Sequence, residues 1–352
     1  MNALHDTGPA RAADRGSAGP ASQPWQARAL WQQLEPWLPG LSIEVLAQTE
    51  STNSLLLERA RLGSGRHGAR GPTSGEVAHV RSRDGDADLS DRRANLGGGD
   101  AAASVGRRAG DTQPALVVAE QQTLGRGRQG RTWHSRAGQS LTFSLALALA
   151  PREWLGLSLA VGVALADALE PPEPGQPPRL GLKWPNDLWL LDGGSAAHAA
   201  AGPGRKLGGV LIETLAVGQQ RMVVVGVGLN VAPLDAAFGP GRHEFASGCA
   251  CLQEIDAAAS APAVLHRIAL PLVRALRQFE REGFGGFATA YARRDLLRGR
   301  AIETRDALQG PPLASGVAEG VGPTGALWLR TASGLQEVTS GEVSVRLASS
   351  DT

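Results

Sequence analysis

Large apolar residues recur along most of the chain with one of two periods, and the period assigns the element. Leu141, Phe143, Leu145, Leu147 and Leu149 alternate with Thr142, Ser144, Ala146 and Ala148, the period of two expected of a strand. Trp25, Leu30, Trp31, Leu34 and Leu38 recur at helical spacing and predict one short amphipathic helix over 25–38. Residues 155–169 place Leu155, Leu159, Val163 and Ala166 on one face and stay apolar around the rest, which predicts a well-buried helix. Another helix follows Ser260, a residue able to cap it, with Pro262 near its first turn. Its core face is Leu265, Ile268, Leu272, Leu276 and Phe279, and a short helix with Phe284, Phe287 and Tyr291 comes after. Apolar runs bounded by turn residues predict strands at 43–47, 115–119, 180–184, 188–191, 206–214 and 222–230. Leu55, Leu56 and Ala60 open a further helix that Ser51 or Thr52 is placed to cap.

The texture changes near residue 296. Short strands at 300–304, 314–319, 326–330, 335–339 and 342–347 alternate with Gly and Pro turns, which predicts a small five-stranded barrel as a separate C-terminal domain. Two stretches, 62–113 and 192–205, are poor in large apolar residues and predict mobile insertions rather than domains. The expected organisation is α+β. Residues 1–40 form a largely disordered N-terminus with one short helix, 41–293 a mixed-sheet domain and 296–348 the barrel.

Composition narrows the function. A formal net charge of +1 on 352 residues gives no global field toward nucleic acid or membrane. No signal peptide or membrane-length apolar run is evident, so a cytoplasmic protein is expected. Cys249 and Cys251 are too close for an unstrained disulfide and too few for a metal cage, so free thiols and no protein-built metal site are expected. Lys183 and Lys206 are the only lysines among 35 basic residues, which marks both as positions where a compact ammonium matters.

The candidate chemistry begins at the stretch GRGRQGRTW, residues 125–133, held between two predicted strands. Its glycines admit close backbone approach, and Arg126, Arg128 and Arg131 bring fixed positive charge with forked donors. That combination suits phosphate and carboxylate groups, although a solvated turn or an RGG-type RNA segment has the same composition. Further polar residues stand at predicted strand ends and turns: Ser51, Thr52 and Asn53, then Gln122, then Lys183 to Asp187, then Lys206 and Asn230. Gly208, Gly209, Gly226 and Gly228 imply close approach by a ligand or by packing.

Taken in order, STN, GRGRQGRTW, KWPNDL, KLGGVLIET and VGVGLNV resemble the biotin–protein ligase family from about residue 41 to 232. The resemblance implies a catalytic domain of the biotin/lipoate ligase type followed by an SH3-like barrel. It implies ATP-dependent formation of biotinyl-5′-AMP and transfer of biotin to a lysine of a biotin carboxyl carrier domain, as in acetyl-CoA carboxylase. Biotin and ATP are then substrates, with Mg²⁺ accompanying the nucleotide. By the same resemblance Ser51, Thr52, Asn53, Gln122, Arg126, Gly127, Arg128 and Lys206 hold biotin and its adenylate. Lys206, Arg128 and Arg131 form the catalytic set, with backbone amides of Gly125 and Gly127 as further donors. Lys183, Asn186, Asp187 and Asn230 lie at the nucleotide, with Asp187 orienting Lys183 or the metal. The single N-terminal helix implies a ligase without a DNA-binding repressor module, acting as a monomer or homodimer. A lipoate ligase or octanoyltransferase of the same fold is the nearest alternative, and an RNA-binding module a more distant one.

Overall fold

The computed structural model describes residues 25–67, 101–105, 112–191, 204–233, 248–305, 311–339 and 344–347. The larger sheet has eight strands: β1 (Ser42–Thr49), β2 (Ala101–Val105), β3 (Ala115–Gln122), β4 (Ser140–Ala148), β5 (Leu180–Lys183), β6 (Asp187–Leu190), β7 (Arg205–Val217) and β8 (Gln220–Asn230). Their order is β2-β1-β3-β4-β8-β7-β6-β5. β1 and β3 run parallel, because helix α2 (Thr52–His67) lies in the crossover between them; the other pairs are antiparallel.

Helices cover the sheet from both sides. α1 (Ala27–Leu34), α3 (Leu157–Leu169) and α4 (Ala261–Glu282) join the large core, in which Leu30, Leu34, Phe143, Val161, Leu265 and Phe279 are buried. α2 seals a smaller cluster on the other side, with Leu56, Leu57, Val117, Ala146, Met222 and Val224. β4 is therefore buried over almost its whole length, and not only on its leucine face. The large core takes Leu141, Phe143, Leu145 and Leu147 on one face and the α2 cluster takes Ala146 on the other, while β3 and β8 pair with its two edges.

Helix α5 (Ala288–Arg294) leads into a second sheet of β9 (Ala301–Arg305), β10 (Ala314–Val321), β11 (Leu327–Thr331), β12 (Gly334–Val338) and β13 (Ser344–Leu347). Its order is β12-β11-β10-β9-β13, all antiparallel. The five predicted strands are all present. Closure is not, because β12 and β13 end the sheet without pairing to each other among the described residues. This sheet shares the main core through Ile302, Leu327 and Leu329, and Trp184 Nε1 donates to Gly325 O at 3.1 Å.

Two local expectations need correction. Ser260 occupies the N-cap of α4 without a side-chain bond, leaving Pro262 as the start signal. The predicted insertion 62–113 contains the last turn of α2 and strand β2, which pairs antiparallel with the open edge of β1. The remainder of that stretch, 68–100 and 106–111, lies outside the described residues, as do 192–203. No helix among the described residues is long and apolar enough to cross a membrane.

Candidate active site

α2 leaves part of its sheet face uncovered. There an open cavity of about 920 Å³, mouth included, lies between the start of α2, the 125–133 loop and strands β6 to β8. Its two ends differ in chemistry.

One end is a neutral polar bowl built at the β1–α2 junction. Thr52 N donates to Gln122 Oε1 at 2.7 Å, tying α2 to the end of β3. Thr52 Oγ1 and Ser144 Oγ lie 2.6 Å apart, and Ser144 Oγ donates to Asn53 Oδ1 at 2.5 Å. Ser51, Thr52 and Asn53 are each 3% exposed and Ser144 is fully buried, so these bonds lie beneath the cavity wall with little access to water. Ser51 Oγ accepts from Ser54 N at 3.4 Å, the weak cap expected at this helix start.

The other end carries the charge. The arginine loop is folded on itself by an Arg126–Thr132 bridge and by bonds from Gly127 N to Arg131 O at 2.7 Å and from Trp133 N to Gly125 O at 2.8 Å. Gln129 takes a left-handed φ of 55° at its tip, followed by Gly130 at 70°. The Gly127 amide is therefore spent inside the loop, against its expected role as a ligand donor. Gly125 is needed because a Cβ there would strike the Trp133 carbonyl. The sheet glycines have packing reasons too. A Cβ at Gly226 would meet the Asn53 amide, and one at Gly228 the Trp133 indole.

Arg128 bonds Asn186 Oδ1 at 3.5 Å, and Asn186 is fixed by donating Nδ2 to Val210 O at 2.8 Å. Burial pushes the Arg128 guanidinium below its ordinary pKa; Asp187 opposes this and Arg131 adds to it. Arg131 Nε and Trp133 Nε1 are buried without a hydrogen-bond partner among the described residues, and both residues line the cavity. Lys206, 9% exposed, forms an ion pair with Asp187 Oδ1 at 2.7 Å. Asp187 thus holds Lys206, whereas the Lys183 ammonium lies 4.9 Å over the Trp189 ring. Bringing like charges together is costly unless an anion joins them, so this end is suited to phosphate or carboxylate.

Of the residues expected in the site, Ser51, Thr52, Asn53, Gln122, Arg126, Gly127, Arg128 and Arg131 line this one cavity. So do Lys183, Asn186, Asp187 and Lys206. Asn230 does not: it is 3% exposed and donates Nδ2 to Ala250 O at 3.0 Å, bracing the 248–252 segment. The sequence reading also missed Trp133 and Phe143 as walls, Ser144 beneath the bowl and Val345 from β13. Trp133 was visible at the end of the loop stretch. Val345 carried no signal, since only tertiary folding brings the second sheet here.

Residues 108–230 match the Biotin/lipoate A/B protein ligase family and residues 299–346 the Biotin protein ligase C terminal domain. The biotin–[acetyl-CoA-carboxylase] ligase of Mycobacterium tuberculosis is 32% identical over 240 residues, 66% of this chain and 79% of that one. The enzyme of the same name from Paracoccus denitrificans is 33% identical over 236 residues, 65% of this chain and 89% of that one. The bifunctional ligase/repressor BirA of Salmonella typhimurium is 30% identical over 249 residues, 68% of each chain. Among solved structures, biotin protein ligase from Aquifex aeolicus in complex with biotin and ATP superposes with a TM-score of 0.56. It is 24% identical and covers 87% of this chain and 99% of that one, a likeness of fold.

Proposed function

The chain belongs to the biotin–protein ligase family, and from that membership we propose that its cavity condenses biotin with ATP and hands the biotin to a carrier protein. It is an ATP-dependent, AMP-forming biotin–[acetyl-CoA-carboxylase] ligase. The observation that carries this reading is the pairing of a saturated polar bowl with a cluster of cations, Lys206 buried and Arg128 and Arg131 half-buried, in one cavity.

In the first step a biotin carboxylate oxygen attacks the α-phosphate of ATP, and pyrophosphate leaves. Two anions must meet, so the barrier falls only if positive charge is already in place. Arg128 and Arg131, held at the loop, and Lys206, held by Asp187, supply that charge where the reacting oxygens come together. Ser51, Thr52, Asn53 and Gln122 hold the ureido head group, which both donates and accepts hydrogen bonds, and Arg126 and Gly127 lie alongside. Lys183, Asn186 and Asp187 face the nucleotide. In the second step a lysine amine of the carrier attacks the acyl carbonyl, giving an amide and AMP.

Asp187 is the single carboxylate lining the cavity, and no cluster of three His, Cys, Asp or Glu occurs among the described residues. That donor set fits a magnesium ion carried mainly by the triphosphate, with Asp187 as its one protein carboxylate. The ion would supply charge neutralisation of the leaving pyrophosphate. The arginines of the loop line a cavity rather than an open face, which favours a small anionic ligand over an RNA strand.

Incubation with biotin and α-labelled ATP is expected to give labelled biotinyl-adenylate, and addition of a carrier domain to release labelled AMP. Activation of lipoate or octanoate with none of biotin would overturn the assignment.

A further inference from the structure

Glu213 lies on β7 and does not line the cavity, yet it touches both ends of it. Its Oε1 accepts from Arg126 Nη2 at 2.7 Å and its Oε2 from Asn53 Nδ2 at 2.9 Å. Salt-bridged to Arg126, the carboxylate only accepts, so Asn53 must turn its NH₂ toward it. Leu211 O lies 3.4 Å from the same nitrogen and favours the same orientation. Asn53 Oδ1 therefore faces Ser144, and the Ser144 hydroxyl must donate, at 2.5 Å. With its one proton used there, Ser144 can only accept from Thr52 Oγ1 at 2.6 Å. Thr52 Oγ1 also lies 3.2 Å from Gln122 Oε1. A hydroxyl has one proton, and the shorter contact claims it; Gln122 Oε1 is already satisfied by Thr52 N at 2.7 Å. Each proton in the chain thus points toward Glu213, and Thr52, Asn53 and Ser144 are too buried for water to reverse the order.

We propose that Glu213 is a positioning residue that fixes the direction of this buried chain. The Thr52 hydroxyl then shows the cavity its lone pairs and selects a ligand with an N–H donor at that point. The proposal rests on the biotin reading, in which that donor is a ureido N–H. Glu213→Gln is nearly isosteric and tests it sharply. The glutamine oxygen must face the donor-only Arg126 guanidinium, which turns its NH₂ toward Asn53. Asn53 must then flip and the chain reverses: Ser144 donates to Thr52 Oγ1, whose own proton turns to Gln122 Oε1 at 3.2 Å, so one of the two lone pairs that Thr52 offered the ligand N–H is taken.

Biotin titration of the full chain, with initial rates and thermal melting, tests the idea. Glu213→Gln is expected to raise the biotin Kd and KM roughly tenfold or more. Its kcat at saturating biotin and its KM for ATP should stay near wild type, and Glu213→Asp, which keeps the acceptor character, should lose less. Ser144→Ala cuts the chain at its middle and leaves the Glu213–Arg126 pair intact, so it too should weaken biotin. It also serves if Glu213→Gln does not fold. Wild-type biotin affinity in Glu213→Gln, or in Ser144→Ala, would overturn the directional chain while leaving the ligase assignment standing. A wild-type protein that binds no biotin would remove both.

Discussion

The bowl and the arginine loop face one cavity, and they are built on opposite terms. In the bowl, Thr52, Asn53, Ser144 and Gln122 satisfy one another before any ligand arrives. At the loop, Arg128 is depressed by burial, and among the described residues Arg131 Nε has no partner and Asp187 is the single lining carboxylate amid the cations. The first end recognises a fixed neutral shape and needs no rearrangement. The second holds an excess of positive over negative groups that an anion offsets, most of all where negative charge builds up. Recognition and activation are thereby separated along one ligand.

The comparison is broken most severely by Lys206→Arg. The charge is kept, but a planar guanidinium cannot occupy the buried position 2.7 Å from Asp187 without displacing the reacting oxygens. Misplacement of about 1 Å costs on the order of a hundredfold, so single-turnover adenylation should slow by about that factor. Arg128→Ala comes next. Loss of charged hydrogen bonds of roughly 1.5–3 kcal/mol should weaken biotin and its adenylate about tenfold to a hundredfold by titration, with little change in melting. Gly226→Ala attacks the bowl instead, because its new methyl meets the Asn53 amide. Overpacking there should cost about 1–3 kcal/mol in urea unfolding and weaken biotin as well, which no loop variant would do to stability. The smallest effect on folding is expected from Arg126→Ala. Its pair with Glu213 is 46% exposed on the arginine side, and such pairs contribute under about 1 kcal/mol, measurable in the same unfolding experiment.

Much of this was legible in the sequence, for reasons that differ by region. The loop, Lys206 and the 183–187 turn stood out because charge and glycine between apolar strands have few structural explanations. Strand existence was readable from period, including all five C-terminal strands. Ser144 was hidden because it read as the polar face of an alternating strand, and only burial of both faces of β4 makes it part of a network. Glu213 was one acid at the end of an apolar run, and its partners at 53 and 126 are distant in sequence. Asn230 went the other way: its motif pointed to the ligand, while its amide braces Ala250. Strand β2 escaped because a short run of Ala, Ser and Val has little hydrophobic signal, and its place is set by the open edge of β1.

The ion pair of Lys206 with Asp187 bears on what this enzyme does to itself. An acyl-adenylate acylates amines, and its maker is the protein nearest to it. This chain has two lysines in 352 residues. One is buried against a carboxylate and the other lies over an indole ring, both in the wall of the cavity. The outer surface therefore offers no lysine amine for an escaping adenylate to label. Self-biotinylation has almost no target, and biotin found on protein in a reaction mixture reports transfer to another chain.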